Sequence, residues 1–168
     1  MRKTLFTCCI LLALCSYGQN NIEISLQQDA RLFLVGDQKG NDPLTVNLLS
    51  KIEIPVYNLE KSHVSTYLTV EYADLVGKNY KRYALGAGYI VNSIYGKIGA
   101  GAYLDFGKIY RQEEGFSSFS LSGELNYKIN DRLKFILTQQ LTQRKDLKVL
   151  YDSNEYVISG FVGLKYSL

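Results

Sequence analysis

The chain has 168 residues, with 19 Lys and Arg against 16 Asp and Glu, a formal charge of +3, and 46% hydrophobic and 12% aromatic residues. That length suits about one domain. High apolar content with balanced charge excludes a disordered chain and lacks the basic footprint of a nucleic-acid binder, and two prolines in all exclude a proline-rich linker.

Residues 1–18 read as a cleaved signal peptide. Arg2 and Lys3 make a basic start, Leu5 to Cys15 is an apolar run too short to span a bilayer as a mature helix, and Ser16 and Gly18 put small residues at a signal-peptidase spacing. Cys15 would suit a lipoprotein, but Leu14 stands where a lipobox has a small residue. Losing 18 residues and two positive charges from the 168-residue, +3 chain leaves a mature domain, 19–168, of 150 residues and charge +1. Cys8, Cys9 and Cys15 go with the leader, so the mature chain has no disulfide, thiol nucleophile or zinc–thiolate site.

Beyond residue 21 the hydrophobic period is two, not 3.6, in eight segments. The first is expected from Ile22 to Leu34, with Ile24, Leu26, Leu32 and Leu34 opposed by Glu23, Ser25, Gln27, Asp29 and Arg31. In the second, Val46, Leu48, Ile52 and Ile54 oppose Asn47, Lys51 and Glu53; in the third, Val64, Leu68, Val70 and Tyr72 oppose His63, Ser65, Thr69 and Glu71. The fourth sets Tyr83, Leu85, Ala87 and Tyr89 against Arg82, Gly86 and Gly88, and the fifth sets Ile94, Ile98, Leu104 and Phe106 against Lys97, Gly99, Gly101, Tyr103 and Asp105. Phe119, Leu121, Leu125 and Tyr127 oppose Ser120, Ser122, Glu124 and Lys128 in the sixth. The seventh has Phe135, Leu137 and Leu141 against Lys134, Thr138, Gln140 and Arg144, with Gln139 and Gln143 as weak points on its apolar side. The eighth has Tyr156, Ile158, Val162, Leu164 and Tyr166 against Ser159, Gly163 and Lys165. Long connections at 36–43, 76–81, 107–117 and 145–154 alternate with short ones at 92–93 and 130–132, giving the molecule a loop end and a turn end.

Eight such strands fit either a soluble barrel with a greasy interior, as in lipocalins, or a membrane barrel with a greasy exterior. The charges favour the second: none lies centrally on the apolar face, as a lipid-facing surface requires when a Lys or Arg at the bilayer midplane costs roughly 2–4 kcal/mol. Aromatic residues of that face cluster by height, Tyr72, Tyr83, Phe106, Phe119 and Tyr156 toward the loops and Tyr89, Tyr127, Phe135 and Tyr166 toward the turns, as two interfacial girdles. A sheet in hydrocarbon must close, so the eighth strand is expected to pair with the first. The fold class is therefore all-β, an eight-stranded antiparallel up-and-down transmembrane β-barrel.

Gly163, Tyr166 and Leu168 resemble the closing signal of Gram-negative outer-membrane barrels, with Leu168 in place of the usual Phe and Phe161 where a polar residue is common. With the leader, the whole mature chain resembles a small member of the outer-membrane β-barrel superfamily, similar in scale to the membrane domain of OmpA-type proteins. The resemblance implies outer-membrane localisation, contact with outer-membrane lipid and lipopolysaccharide, and dependence on periplasmic chaperones and the barrel assembly machinery.

An eight-stranded barrel is wide enough only for side chains to fill it. Glu23, Arg31, Lys51, Glu53, Glu71, Arg82, Lys97, Asp105, Glu124, Lys128 and Arg144 are thus expected to form an interior charge network that plugs the lumen, because unpaired charges away from water are expensive. His63 and Ser65, two residues apart on one strand face, resemble the pair used by the lipid A deacylase family, another eight-stranded barrel, but Thr66 stands where that family has Asn and no acid partner is identifiable. Gly86, Gly88, Gly99 and Gly101 lie inside strands with no following helix, so they are not a phosphate loop. Asp152, Asn154 and Glu155 match no EF-hand spacing. Expected, then, is a non-enzymatic, cofactor-free envelope component that docks an unidentified envelope partner through loops or turns, with a lipid A-modifying enzyme and a soluble lipocalin-like carrier as the alternatives.

Overall fold

The computed structural model describes residues 22–37, 40–76 and 79–168; the expected signal peptide lies outside the described residues. Eight strands run in order: β1 (Glu23–Asp29), β2 (Asn47–Asn58), β3 (Ser62–Ala73), β4 (Tyr80–Tyr95), β5 (Ile98–Arg111), β6 (Glu114–Lys128), β7 (Leu133–Gln143) and β8 (Tyr156–Ser167). Every strand pairs antiparallel with its sequence neighbours, and β8 pairs with β1 from Glu23↔Ser167 to Asp29↔Phe161, closing the barrel. No helix among the described residues is long and apolar enough to cross a membrane.

The seam between β8 and β1 is tight because Gly163 sits opposite Gln27: a Cβ there would run into the Leu26 carbonyl and the Gln27 Cα. Gly86 and Gly88 leave room of a different kind, since Cβ atoms on them would strike the Tyr67 and Tyr103 rings inside the lumen.

Burial separates the two faces of the sheet. Leu68, Leu85 and Leu121 are 41%, 66% and 49% exposed, while Glu53, Arg82, Glu124 and Lys165 on the opposite face are buried. The apolar side of the sheet therefore points outward and the ionic side points into the lumen, the reverse of a lipocalin. Outward aromatic residues pair by height: the Phe106 and Phe119 rings lie 5.1 Å apart and the Tyr83 and Tyr110 rings 6.1 Å apart toward the loops. Tyr127 and Phe135 stand opposite each other toward the turns. One amide interrupts the aliphatic band. Gln139 lies in register between Gly123 and Gly160, and its Nε2 donates to the Ser159 carbonyl at 3.3 Å.

The strand ends differ from the sequence reading in physical ways. Residues 30–34, expected to continue the first strand, form helix α1 (Ala30–Leu34), because the Asp29 carboxylate accepts from Leu32 N at 3.0 Å and caps it. The long connection expected at 107–117 is a tight hairpin: β5 and β6 pair out to Arg111↔Glu114, and Gln112 and Glu113 take φ of 53° and 71°. The turn expected at Asn92 and Ser93 falls instead at Gly96, where φ is +55°. Within the last long loop lies helix α2 (Lys145–Tyr151), ended by Asp152 in the left-handed region.

Candidate functional site

The lumen is filled in layers along its axis. Near the turns, Glu23 on β1 accepts from Lys134 Nζ at 2.5 Å and from Ser167 Oγ at 3.0 Å. At mid-height four charges interlock: Lys165 lies 2.8 Å from Glu53 and also pairs with Glu124, while Lys51 lies 3.3 Å from Glu124 and 3.6 Å from Glu53. Two positive and two negative charges cancel there. The Tyr103 hydroxyl joins them, 3.1 Å from Glu53, 3.3 Å from Glu124 and 3.2 Å from Lys165 Nζ, and the Lys51 ammonium rests 3.6 Å from the centre of its ring. Tyr67 meets Tyr103 edge-on at 5.4 Å.

The next layer is Arg82, fully buried, which pairs with Asp105 and donates from Nε to Ser118 Oγ at 3.0 Å. Tyr67 donates its hydroxyl to the other Asp105 oxygen at 3.2 Å. Toward the loops, Tyr80 donates to Glu71 at 3.1 Å and carries the Arg144 guanidinium over its ring at 4.0 Å. Arg144 also donates from Nε and a terminal nitrogen to the two Asp146 oxygens, both at 2.8 Å, and Arg111 reaches Asp146 at 3.5 Å. Charges taken from water are stable only when so surrounded, and removing one partner leaves the other stranded.

Eight of the eleven charges expected in the interior are buried in the lumen or its loop-end mouth: Glu23, Lys51, Glu53, Glu71, Arg82, Asp105, Glu124 and Arg144. Three are not, and correct the expectation. Arg31 is exposed on α1, because the chain leaves the sheet at Asp29 and the period-two count no longer applies. Lys97 is exposed in the Gly96 turn. Lys128 is half exposed at the end of β6, where it pairs at 2.9 Å with Asp131 in the next turn and holds that carboxyl below its ordinary range. Lys134 and Lys165, inward on the polar face of the sequence pattern, also belong to the network. Arg111 and Asp146 fall in expected loops; period-two counting carried past Phe106 finds Arg111 inward, but no pattern in the sequence marks Asp146 as a buried partner.

His63 and Ser65 both face the lumen near the turns and are buried. The Ser65 hydroxyl has no hydrogen bond among the described residues, from His63 or any other group, so the pair does not form a base and nucleophile in hydrogen-bond contact. Among the described residues no group of three or more His, Cys, Asp or Glu is placed to hold a metal, Asp152 and Glu155 included. Gln143 donates to Glu155 at 3.1 Å, which lowers the carboxyl's pKa. At the carboxyl end Gly163, Tyr166 and Leu168 run along the seam: Tyr166 stands opposite Ile24, and Leu168 N donates to the Ile22 carbonyl at 2.9 Å.

No family model matches the sequence, and no curated protein matches it. Among solved structures the chain is similar to the Yersinia pestis outer membrane protein Ail in a phospholipid bilayer nanodisc, with 13% identity and a TM-score of 0.57 over 89% of this chain and 99% of that one. It is also similar to the crystal structure of Ail, the attachment invasion locus protein of Yersinia pestis, at 12% identity and a TM-score of 0.49 over 89% and 97% of the two chains. A third similar structure is Ail in complex with the heparin analogue sucrose octasulfate, at 14% identity and a TM-score of 0.46 over 89% and 97%. The nanodisc likeness shows the fold: this chain is a closed eight-stranded antiparallel β-barrel.

Proposed function

We propose that the chain is an outer-membrane barrel with no catalytic role, sealed along its axis, that serves the envelope as a structural and interaction component and meets its partners at the loop end. The observation that carries this reading is the mid-height cluster of Lys51, Glu53, Glu124 and Lys165 around the Tyr103 hydroxyl, which fills the lumen with paired opposite charges. A pore needs polar groups that water can reach. Here the four charged side chains are buried against one another. Export by the leader at 1–18, and folding by chaperones and assembly machinery that read Gly163, Tyr166 and Leu168, would deliver it to lipid and lipopolysaccharide. Planar-bilayer recording tests the seal: the reading predicts no large stable conductance, and a steady conductance of porin size would contradict it. Lipid A mass spectrometry of cells carrying Ser65→Ala tests the absence of catalysis, with unchanged acylation expected and a changed acyl pattern contradicting it.

A further inference from the structure

At the loop end the lumen opens into a cavity of about 500 Å³, within the range of small-molecule sites. Its walls differ in charge. The adjacent strands β1, β2 and β3 bring Asp29, Asn47 and Glu71 to one side, with Arg31 and Asp37 just beyond β1, while Arg111 at the end of β5 and Arg144 just past β7 come from the other, Arg144 lying over the ring of Tyr80, whose hydroxyl donates to Glu71. Asp146 is the one carboxylate within salt-bridge reach of the two arginines among the described residues, so that side carries surplus positive charge. Facing it, Asp29 accepts from Leu32 N and Glu71 accepts from the Tyr80 hydroxyl, and neither forms a salt bridge among the described residues.

Each side also holds a polar atom left unpaired among the described residues. Arg111 Nε and Asn47 Oδ1 are buried, belong to residues that line the cavity, and form no hydrogen bond among the described residues. Of the ten buried side-chain polar atoms without a hydrogen bond among the described residues, these two are the ones whose residues line the cavity, a donor on one side and an acceptor on the other, the two functions that a molecule bearing both charges would meet. Leu75 and Leu147 add apolar wall between them. The barrel frame prevents the two sides from collapsing onto each other, because their separation is fixed by strand pairing.

We propose that this cavity binds a small zwitterion of the amino-acid or short-peptide class, its carboxylate against Arg111 and Arg144 and its ammonium against Asp29 and Glu71. The proposal goes beyond the envelope role above and does not depend on the sealed lumen. It is tested on the protein purified from outer membranes into nanodiscs, by calorimetric titration with leucyl-glycine, with N-acetyl-leucyl-glycine, which lacks the ammonium, and with leucyl-glycinamide, which lacks the carboxylate. Leucyl-glycine should bind saturably, and each single-charge analogue about tenfold or more weaker, the loss expected for one charge-assisted contact. Arg111→Gln should weaken leucyl-glycine by about tenfold and leave the glycinamide unchanged. Glu71→Gln, which keeps an oxygen for the Tyr80 hydroxyl, should weaken leucyl-glycine and leave the acetylated peptide unchanged. Heat-modifiable migration on gels establishes that each variant is folded. Absence of saturable binding to the folded protein, equal binding of all three peptides, or indifference to both substitutions would overturn the proposal. So would preference for either analogue over the zwitterion, which would mark a plain anion or cation site. An open pore in bilayer recording would contradict the seal and leave this result standing.

Discussion

The two faces of β6 sit a few ångströms apart and obey opposite rules. Outward, Leu121 and Leu125 are half exposed; inward, Ser120 and Glu124 are buried among specific partners. An outward residue contributes by transfer from water to hydrocarbon, which depends on area and hardly on identity. An inward residue contributes through pairs, and its value vanishes or reverses when its partner leaves. The outer face should therefore tolerate any apolar exchange and refuse charge, whereas the inner face should tolerate charge and refuse any unpartnered change.

The largest expected effect lies inside. Lys165→Met leaves Glu53 and Glu124 buried with only Lys51 between them, and should destabilise the barrel by about 3–5 kcal/mol in urea titrations from lipid vesicles. A loss under about 1 kcal/mol would show the lumen to be wet. Next comes the outer face, where Leu68→Arg should cost about 2–4 kcal/mol while Leu68→Ile stays near neutral. If the two behaved alike, Leu68 would not face lipid. Tyr103→Phe keeps the ring under the Lys51 ammonium but deletes the hydroxyl that Glu53, Glu124 and Lys165 share, a loss of about 1–3 kcal/mol by the same titration.

The smallest effect lies at neither face. Asp131, exposed in the β6–β7 turn, has its carboxyl held below the ordinary value of 3.8 by the hydrogen bond and charge of Lys128. A carboxyl lowered by folding contributes stability above its unfolded value, and the contribution is lost as pH falls through the lower folded value. NMR titration of the Asp131 carboxyl should find that midpoint below 3.8, and Lys128→Ala should raise it toward the ordinary value. At neutral pH the same substitution should leave the unfolding midpoint almost unmoved, because exposed pairs are screened.

Legibility in the sequence divides between the same two faces and the strand ends. Period two assigns Leu48, Leu68 and Leu121 outward and Lys51, Glu53, Glu71, Arg82, Asp105 and Glu124 inward, because the pleat alternates side chains strictly wherever a strand persists. The errors collect at strand ends. Arg31 escapes the count since the Asp29 cap that starts α1 sits inside a pattern still alternating, and only the Asp29 to Leu32 N contact reveals it. The β5–β6 hairpin turns through Gln112 and Glu113 with positive φ and no Gly or Asn, so turn chemistry gives no sign of it, and Arg111 falls in what reads as a loop. The cavity at the mouth is walled in part by Leu147 and Tyr151 of α2, whose Asp146 reaches Arg111 on β5, a long-range contact that no local spacing encodes.

The direction in which the leucines point underlies both the seal and the charged interior, and lipid contact is directly measurable. In nanodiscs with protonated acyl chains and a methyl-labelled, otherwise deuterated protein, nuclear Overhauser transfer from lipid CH₂ groups should reach the methyls of Leu68, Leu121 and Leu125. The Ile90 and Ile136 methyls, buried on the lumen side, should receive none. Transfer to Ile90 and Ile136 in place of the three leucines would turn the sheet inside out and contradict everything argued from its charged interior.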